Sequence, residues 1–277
     1  MSSINNLRRE YRNYIIPRDQ RWLDFQKYVA YYEINQMFAR RLFTGLDGYE
    51  IVFICDDSGS MSTPLDDIRN TQRRFETRWS RLQKTVSIVV DLASTLDPNG
   101  VDVYFLNRDP VLHVRNSKEL AATFAEDPSG PTPVTKILRK ILHIKRDEIQ
   151  QRNLLIVLAT DGLPTDDAGH TELAPFEHVL EKERIPINKI PMTIIACTND
   201  RKIMDYLNFL DKHVHYLDVV DDYKNEREQI LRIQGRNFPF TFGDYIVKTL
   251  MGGVDRWFDL LDEEKVVLDD SRYSKHR

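Results

Sequence analysis

The sequence contains only two cysteines in 277 residues and no Asn-x-Ser/Thr glycosylation signal. So few cysteines exclude the disulfide-stapled scaffolds on which small secreted domains depend. The first ten residues also lack the apolar segment of a secretory signal peptide. Together these absences predict an intracellular, cytoplasmic protein with reduced cysteines.

Long apolar runs and an excess of positive charge are absent as well. No apolar run approaches the roughly 20 residues that a membrane-spanning helix needs, so we expect no membrane partner. The net charge is −4 and the isoelectric point about 6.0, which does not indicate a nucleic-acid-binding surface. The sequence also lacks a P-loop and a Gly-x-Gly-x-x-Gly motif, the signatures of the common nucleotide-binding folds.

What the sequence does contain is an alternation of apolar, strand-like segments with amphipathic, helix-like segments. Hydrophobic residues make up 41% of the chain, enough for the core of one sizeable domain with extensions. Strands alternating with helices predict an α/β protein with a doubly wound, mostly parallel sheet of six strands and helices on both faces. The predicted strands cover residues 50–55, 101–106, 111–115 (antiparallel, at an edge), 153–160, 189–196 and 213–219.

Helical segments flank this predicted sheet. We divide the chain into an N-terminal helical extension at 1–45, a central domain at 46–264 and a charged tail at 265–277. In the extension, apolar residues recur at a helical period over 24–41, which predicts one helix. This helix either packs on the side of the domain or serves as a partner-binding arm. Residues 221–264 are predicted to be mainly helical.

Oxygen-bearing side chains follow the first predicted strand at alternating positions, in the pattern Asp56-x-Ser58-x-Ser60. A buried strand that ends in such a turn places these side chains at the carboxyl edge of the sheet, where open α/β sheets bind ligands. Carboxylate and hydroxyl oxygens suit hard cations such as Mg²⁺. The turn is therefore a candidate metal site.

The same turn resembles the metal-ion-dependent adhesion site (MIDAS) of von Willebrand factor A-type domains. The site of that family also needs a threonine from a later loop and an aspartate after a later strand. Both occur in the right order. Thr132 stands in the loop at 130–133, and Asp161, followed by Gly162, comes directly after the predicted strand at 153–160. The resemblance implies the Rossmann-like fold of the family.

The resemblance also implies a Mg²⁺ ion held by the hydroxyl groups of Ser58, Ser60 and Thr132. Asp56 and Asp161 would act on the ion directly or through bound waters. Because neutral ligands leave the charge of the ion poorly neutralised, its open position favours an Asp or Glu carboxylate from a partner protein. Mn²⁺ is expected to substitute for Mg²⁺. The expected function is a protein-interaction module, an adaptor or assembly component, and not an enzyme.

Three further segments, at 100–107, 217–223 and 242–245, resemble intracellular A-type proteins from microbial eukaryotes and large DNA viruses. For a viral member, association with the virion is an alternative location. The strand order of the family also implies that Cys55 and Cys197 lie on strands separated by at least one other strand. Such strands are about 9–10 Å apart, which is too far for a disulfide.

Two other functions remain open at this point. One is a structural component, for example of a large viral particle, in which the metal only stabilises the loops, or in which Ser58 and Ser60 merely cap the local backbone. The other is a metal-dependent hydrolase. Against the hydrolase, position 58 is serine, so the Asp-x-Asp motif of aspartyl phosphatases is incomplete. No Gly-x-Ser-x-Gly elbow surrounds Ser58 either.

Three weaker features each allow two interpretations. Asp57 either points away from the ion or adds charge to its site. The basic run from Arg69 to Arg81 is either a solvated face or a surface that attracts an acidic partner. His213 and His215 share one face of the last predicted strand at a spacing that metal ligands use, but no third ligand is evident.

Overall fold

A computed structural model of the chain describes residues 18–65, 76–97 and 99–266. Its strands are β1 (Glu50–Cys55), β2 (Val101–Phe105), β3 (Val111–Val114), β4 (Leu154–Thr160), β5 (Met192–Ala196) and β6 (Leu217–Val220). Its α-helices are α1 (Arg18–Tyr31), α2 (Gln36–Gly45), α3 (Arg78–Leu96), α4 (Ala121–Ala125), α5 (Val134–Gln151), α6 (Leu173–His178), α7 (Arg201–His213), α8 (Tyr223–Gln234), α9 (Phe242–Met251) and α10 (Arg256–Asp259). A π-helical turn at Val179–Glu183 continues α6, and a 3-10 turn at Gly59–Ser62 follows β1.

The strands form one six-stranded sheet in the order β3-β2-β1-β4-β5-β6. Neighbouring strands run parallel, except that β2 and β3 pair antiparallel. Every residue of β1 and β4 is buried, because these two strands lie at the centre of the sheet and are covered on both faces. The prediction of a mostly parallel, six-stranded sheet with an antiparallel edge strand is confirmed.

Alternate residues of β1 face opposite sides of the sheet, and each side carries its own apolar cluster. Ile51 and Phe53 belong to the cluster that includes side chains of α1, α2, α3 and α9. Val52 and Ile54 belong to the cluster that includes side chains of α5, α6 and α7. Helix side chains therefore pack against both faces of the sheet.

The predicted helix at 24–41 is in fact two helices. The chain turns at Glu33, whose φ of 54° lies in the left-handed region, and the Asn35 side chain caps α2 by accepting a hydrogen bond from the backbone N–H two residues on. Phe25 from α1 and Phe38 from α2 are buried in the same cluster as β1. The described part of the extension thus packs on the sheet.

The structure does not describe the two ends of the chain. Residues 1–17 and 267–277, which include the start of the predicted extension and most of the predicted tail, lie outside the described residues. In the described part of the chain, no helix combines the length and the apolar character that crossing a membrane requires.

The last strand begins later than predicted. β6 starts at Leu217, whereas His213 ends α7, where its ring Nδ1 lies 2.7 Å from the carbonyl oxygen of Phe209. Tyr216, with a φ of 55°, makes a left-handed turn just before the strand. The prediction that His213 and His215 share a strand face is therefore wrong.

Both cysteines are expected to be free thiols. Cys55 ends β1, Cys197 follows β5, and β4 lies between these strands; neither cysteine forms a disulfide. Alkylation under denaturing, non-reducing conditions should modify both, as read by mass spectrometry. An intramolecular Cys55–Cys197 crosslink in the purified protein would contradict this strand order.

Candidate functional site

The predicted site residues come together at the carboxyl edge of the sheet, where β1 and β4 end side by side. In the parallel register of these strands Cys55 pairs with Ala159, so the residues that follow each strand are neighbours. The backbone N–H of Asp56 donates to the carbonyl of Ala159 across 2.9 Å. Asp56 and Asp161 therefore leave the sheet from adjacent strands.

Asp56 holds the turn after β1 in shape. Its Oδ1 accepts a hydrogen bond from the backbone N–H of Ser58 at 2.9 Å, and its Oδ2 accepts one from Thr160 Oγ1 at 2.6 Å. The side chain is fully buried. Burial, and next the charge of Asp161, raise the pKa of the Asp56 carboxyl to about 6 in spite of these two donors. Both of its oxygens thus have protein partners, which suits a group that orients ligands.

The two serine hydroxyls form a chain of contacts between the two aspartates. Ser58 Oγ lies 3.0 Å from Ser60 Oγ, and Ser60 Oγ donates to Asp161 Oδ1 across 2.7 Å. Ser58 and Asp161 are buried, whereas Ser60 is exposed. The cluster is therefore open to solvent on the side of Ser60.

Thr132 comes from a separate loop, which two hydrogen bonds tie to Thr165 in the loop after β4. Its N–H donates to Thr165 Oγ1 at 2.9 Å, and its carbonyl accepts from the N–H of Thr165 at 3.0 Å. A Cβ atom at Gly162 would lie 3.5 Å from Thr132 Oγ1, so the hydroxyl sits against the backbone that follows Asp161. Gly130, two residues earlier, has a φ of 102°, which a glycine adopts without strain.

This arrangement fits a hard cation. Neighbouring ligands of an octahedral Mg²⁺ ion, each at about 2.1 Å, lie about 3.0 Å apart. The two hydroxyl oxygens of Ser58 and Ser60 have this spacing. Oxygen donors of this kind suit Mg²⁺ and Mn²⁺ better than softer metals. Ser58, Ser60 and Thr132 would hold the ion, and Asp56 and Asp161 would orient them or contact it through waters.

Asp57 points away from this cluster. Its Oδ1 accepts a hydrogen bond from the N–H of Asn107 at 2.8 Å, and its Oδ2 pairs with Arg108 Nε at 2.6 Å. The side chain is fully buried. Both oxygens of Asp57 are therefore held by the loop after β2, which favours the interpretation that this side chain points away from the site.

One residue of the predicted basic run touches the site directly. Arg78, the first residue of α3, donates from Nη1 to Asp161 Oδ2 at 2.6 Å and from Nη2 to Thr198 Oγ1 at 3.3 Å. Arg81 pairs with Glu76 at 3.1 Å. The rest of the run, Arg69, Arg73 and Arg74, lies outside the described residues. Thr77 caps α3, because its side chain accepts a hydrogen bond from the N–H of Ser80.

A cavity of about 580 Å³ adjoins the site, with Arg78 in its wall. The other charged residues of its wall are Arg81, Lys224, Asp200 and Asp222, and Phe242 and Tyr245 supply aromatic surface. The cavity therefore carries charge of both signs beside aromatic surface.

Stability in the absence of metal is expected to fall as the pH rises from 5 to 8. Burial raises the pKa of the carboxyl groups of Asp97, Asp211 and Glu226 to about 7 in each case. Carboxyl groups in the unfolded chain have pKa values near about 4. Between that pH and about 7 the folded state therefore binds more protons than the unfolded state, so the free energy of unfolding falls as the pH rises through this range. Urea denaturation in EDTA at pH 5, 6.5 and 8 measures the effect, and Asp211→Asn should flatten it. Stability that rises over this range would contradict the prediction.

Comparisons with known proteins add little to this geometry. No family model matches the chain, and no curated protein matches it. Among solved structures, the chain is similar to a mutant of the PilB minor pilin from Streptococcus sanguinis, with 15% sequence identity and a TM-score of 0.45. The match covers 77% of this chain and 62% of the pilin chain, so the chain spans less than two thirds of that structure. A similarity at this level supports no inference about function.

Proposed function

We propose that the chain is a Mg²⁺-dependent protein-interaction module of the von Willebrand factor A type, with the doubly wound fold of that family. It would bind the ion at the carboxyl ends of β1 and β4 and use it to capture an Asp or Glu side chain of a partner protein. The observation that carries the proposal is the contact chain from Ser58 through Ser60 to Asp161. An intracellular adaptor or assembly component is the role that fits best.

The charge balance of the site favours an external carboxylate. The proposed direct ligands are neutral hydroxyls, and Asp161 shares its charge with Arg78. An ion held here would keep much of its positive charge, and Arg78 would add to it. A partner carboxylate is the strongest available ligand for such a site, because a hard cation prefers a charged oxygen.

The adjoining cavity suggests what else the partner offers. Phe242 and Tyr245 in its wall would favour an apolar side chain. We therefore expect the recognised segment to carry an acidic residue at the ion and an apolar residue a short distance away.

Selection of displayed random peptides on the immobilised protein tests the proposal. Peptides retained in Mg²⁺ and released by EDTA are expected to share an Asp or Glu residue. Ser60→Ala should lose this EDTA-sensitive binding, because it removes one hydroxyl from the proposed ligand set. Ser62→Ala, an exposed serine of the same 3-10 turn, should keep it. Peptides without a shared acidic residue, or binding that survives EDTA, would overturn the proposal.

The two rival functions give different results in related assays. If the metal only stabilises the loops, Mg²⁺ raises stability but the selection yields no EDTA-sensitive peptides. If the chain is a hydrolase, it turns over a phosphate ester in Mg²⁺, and Ser60→Ala abolishes that turnover. The interaction module shares the stabilisation by Mg²⁺, but it predicts EDTA-sensitive peptides and no turnover of the ester.

A further inference from the structure

Three aspartates from different elements meet at the β6 edge of the sheet. Asp218 lies in β6, Asp211 in the last turn of α7, and Asp259 at the end of α10. Each offers a carboxylate oxygen, and these three oxygens lie within 4.8 Å of one another. The cluster is unrelated to the site at the ends of β1 and β4, because Asp218 is the second residue of its strand and not a residue that follows it.

One oxygen of the buried Asp218 carboxylate has no hydrogen-bond partner among the described residues. Its residue is only 2% exposed, and its Oδ2 accepts no hydrogen bond from the described residues. A Cβ atom at Gly252 would collide with this Oδ2, so a glycine is needed for the carboxylate to occupy its position. Burying an unpaired carboxylate is costly, and a bound cation would offset that cost.

The nearby Lys248 attracts Asp218 electrostatically, but the ion pairs that it forms in the described part of the chain are with other carboxylates. Lys248 is fully buried, and its Nζ pairs with Glu226 at 3.1 Å and with Asp262 at 3.0 Å. Lys248 is therefore already paired with two other carboxylates. Counting those two, five carboxylate groups surround one ammonium group, which leaves the Asp211, Asp218 and Asp259 cluster with an excess of negative charge.

We propose that Asp211, Asp218 and Asp259 bind a divalent cation of the size of Ca²⁺. Ca²⁺ takes oxygen ligands at about 2.3–2.6 Å, so two oxygens on opposite sides of one ion lie about 4.6–5.2 Å apart. The three oxygens lie within 4.8 Å of one another, a range that one coordination sphere of this size spans. Mg²⁺ is usually bound through one or two carboxylates and several waters, so a site with three carboxylates favours Ca²⁺.

One of the ligands is already held in place. Asp211 Oδ1 accepts a hydrogen bond from the backbone N–H of Val219 at 3.0 Å, which ties α7 to β6. An ion bound to all three aspartates would extend this link to α10. The bound ion would thus hold β6 between α7 and α10, and its binding should stabilise this side of the domain.

Calcium calorimetry on the Ser60→Ala protein at pH 8 tests the proposal, because that background removes one ligand of the other proposed site. We expect one Ca²⁺ to bind per chain, and more tightly than Mg²⁺. Asp218→Asn, which keeps the shape of the side chain, should weaken Ca²⁺ binding at least tenfold. Asp205→Asn, on the same helix as Asp211 but 71% exposed, should leave it unchanged.

Thermal melts provide a second readout that does not depend on measurable heats. Ca²⁺ should raise the unfolding midpoint of the Ser60→Ala protein above its value in EDTA, and Asp218→Asn should abolish that rise. Asp259→Asn serves in its place if Asp218→Asn does not fold. Equal midpoints in Ca²⁺ and EDTA, or an undiminished rise in the Asn variants, would show that protons and not a metal neutralise the cluster and would overturn the proposal. Neither result bears on peptide capture at the other site.

Discussion

Replacing Lys145 with alanine is expected to lower the free energy of unfolding by about 3–5 kcal/mol, the usual cost of removing one partner of a buried ion pair. Lys145 Nζ lies 2.5 Å from Glu50 Oε1 and 2.6 Å from Asp102 Oδ2, and the lysine is only 4% exposed. Glu50 begins β1, and Asp102 lies in β2. Without the ammonium group, the negative charges of these buried carboxylates, at the amino end of the sheet, are less well neutralised.

Urea denaturation followed by circular dichroism measures this loss. Lys136→Ala is the matched control, because Lys136 lies on the same helix but its ion pair with Asp167 is exposed on both sides. Exposed pairs contribute about 0–1 kcal/mol, so the control should stay close to the wild type. A Lys145→Ala protein as stable as Lys136→Ala would show that the buried network contributes little to stability.

The second large effect concerns the proposed Mg²⁺ site. At 100 times its dissociation constant, Mg²⁺ should add about 2.7 kcal/mol to the stability of the wild type, provided that the unfolded chain does not bind it. Ser60→Ala and Asp161→Asn should lose this gain. Asp161→Asn is preferable to alanine, because Asp161 is buried and accepts hydrogen bonds from both Ser60 and Arg78. An amide keeps the shape of the side chain but not its charge.

Thermal melts in Mg²⁺, Mn²⁺ and EDTA measure this gain. Ser62→Ala should respond to Mg²⁺ as the wild type does, and Mn²⁺ should act like Mg²⁺. Coincident melting curves for the wild type across a saturating range of Mg²⁺ would exclude an ion at the carboxyl ends of β1 and β4.

Much of the fold and part of the site could be predicted from local sequence patterns. The continuous apolar run of β1 predicts a strand buried on both faces, and the polar turn that begins at Asp56 marks its carboxyl end. The loop at 130–133 contains two prolines and a glycine, which restrict where Thr132 can stand. Patterns of this kind are local, so they can be read one segment at a time.

The contacts that orient the site residues could not be read in this way, because they join distant parts of the chain. Arg78 and Asp161 are 83 residues apart, and Asp56 and Thr160 are 104 apart. Nothing in the local sequence of Thr160 distinguishes it from any other strand residue. The Asp211, Asp218 and Asp259 cluster is hidden for the same reason, since its members come from a helix, a strand and another helix.

We propose that an ion, and not Arg78 alone, captures a partner carboxylate. The most direct test of this role of the ion compares one peptide recovered in the selection with the same peptide whose acidic residue is changed to the amide. In Mg²⁺ the amide peptide should bind the wild type at least tenfold more weakly, about 1.4 kcal/mol or more. In EDTA, or with Ser60→Ala, the two peptides should bind alike. A preference for the acidic peptide that persists in EDTA would contradict the account and assign the recognition to Arg78.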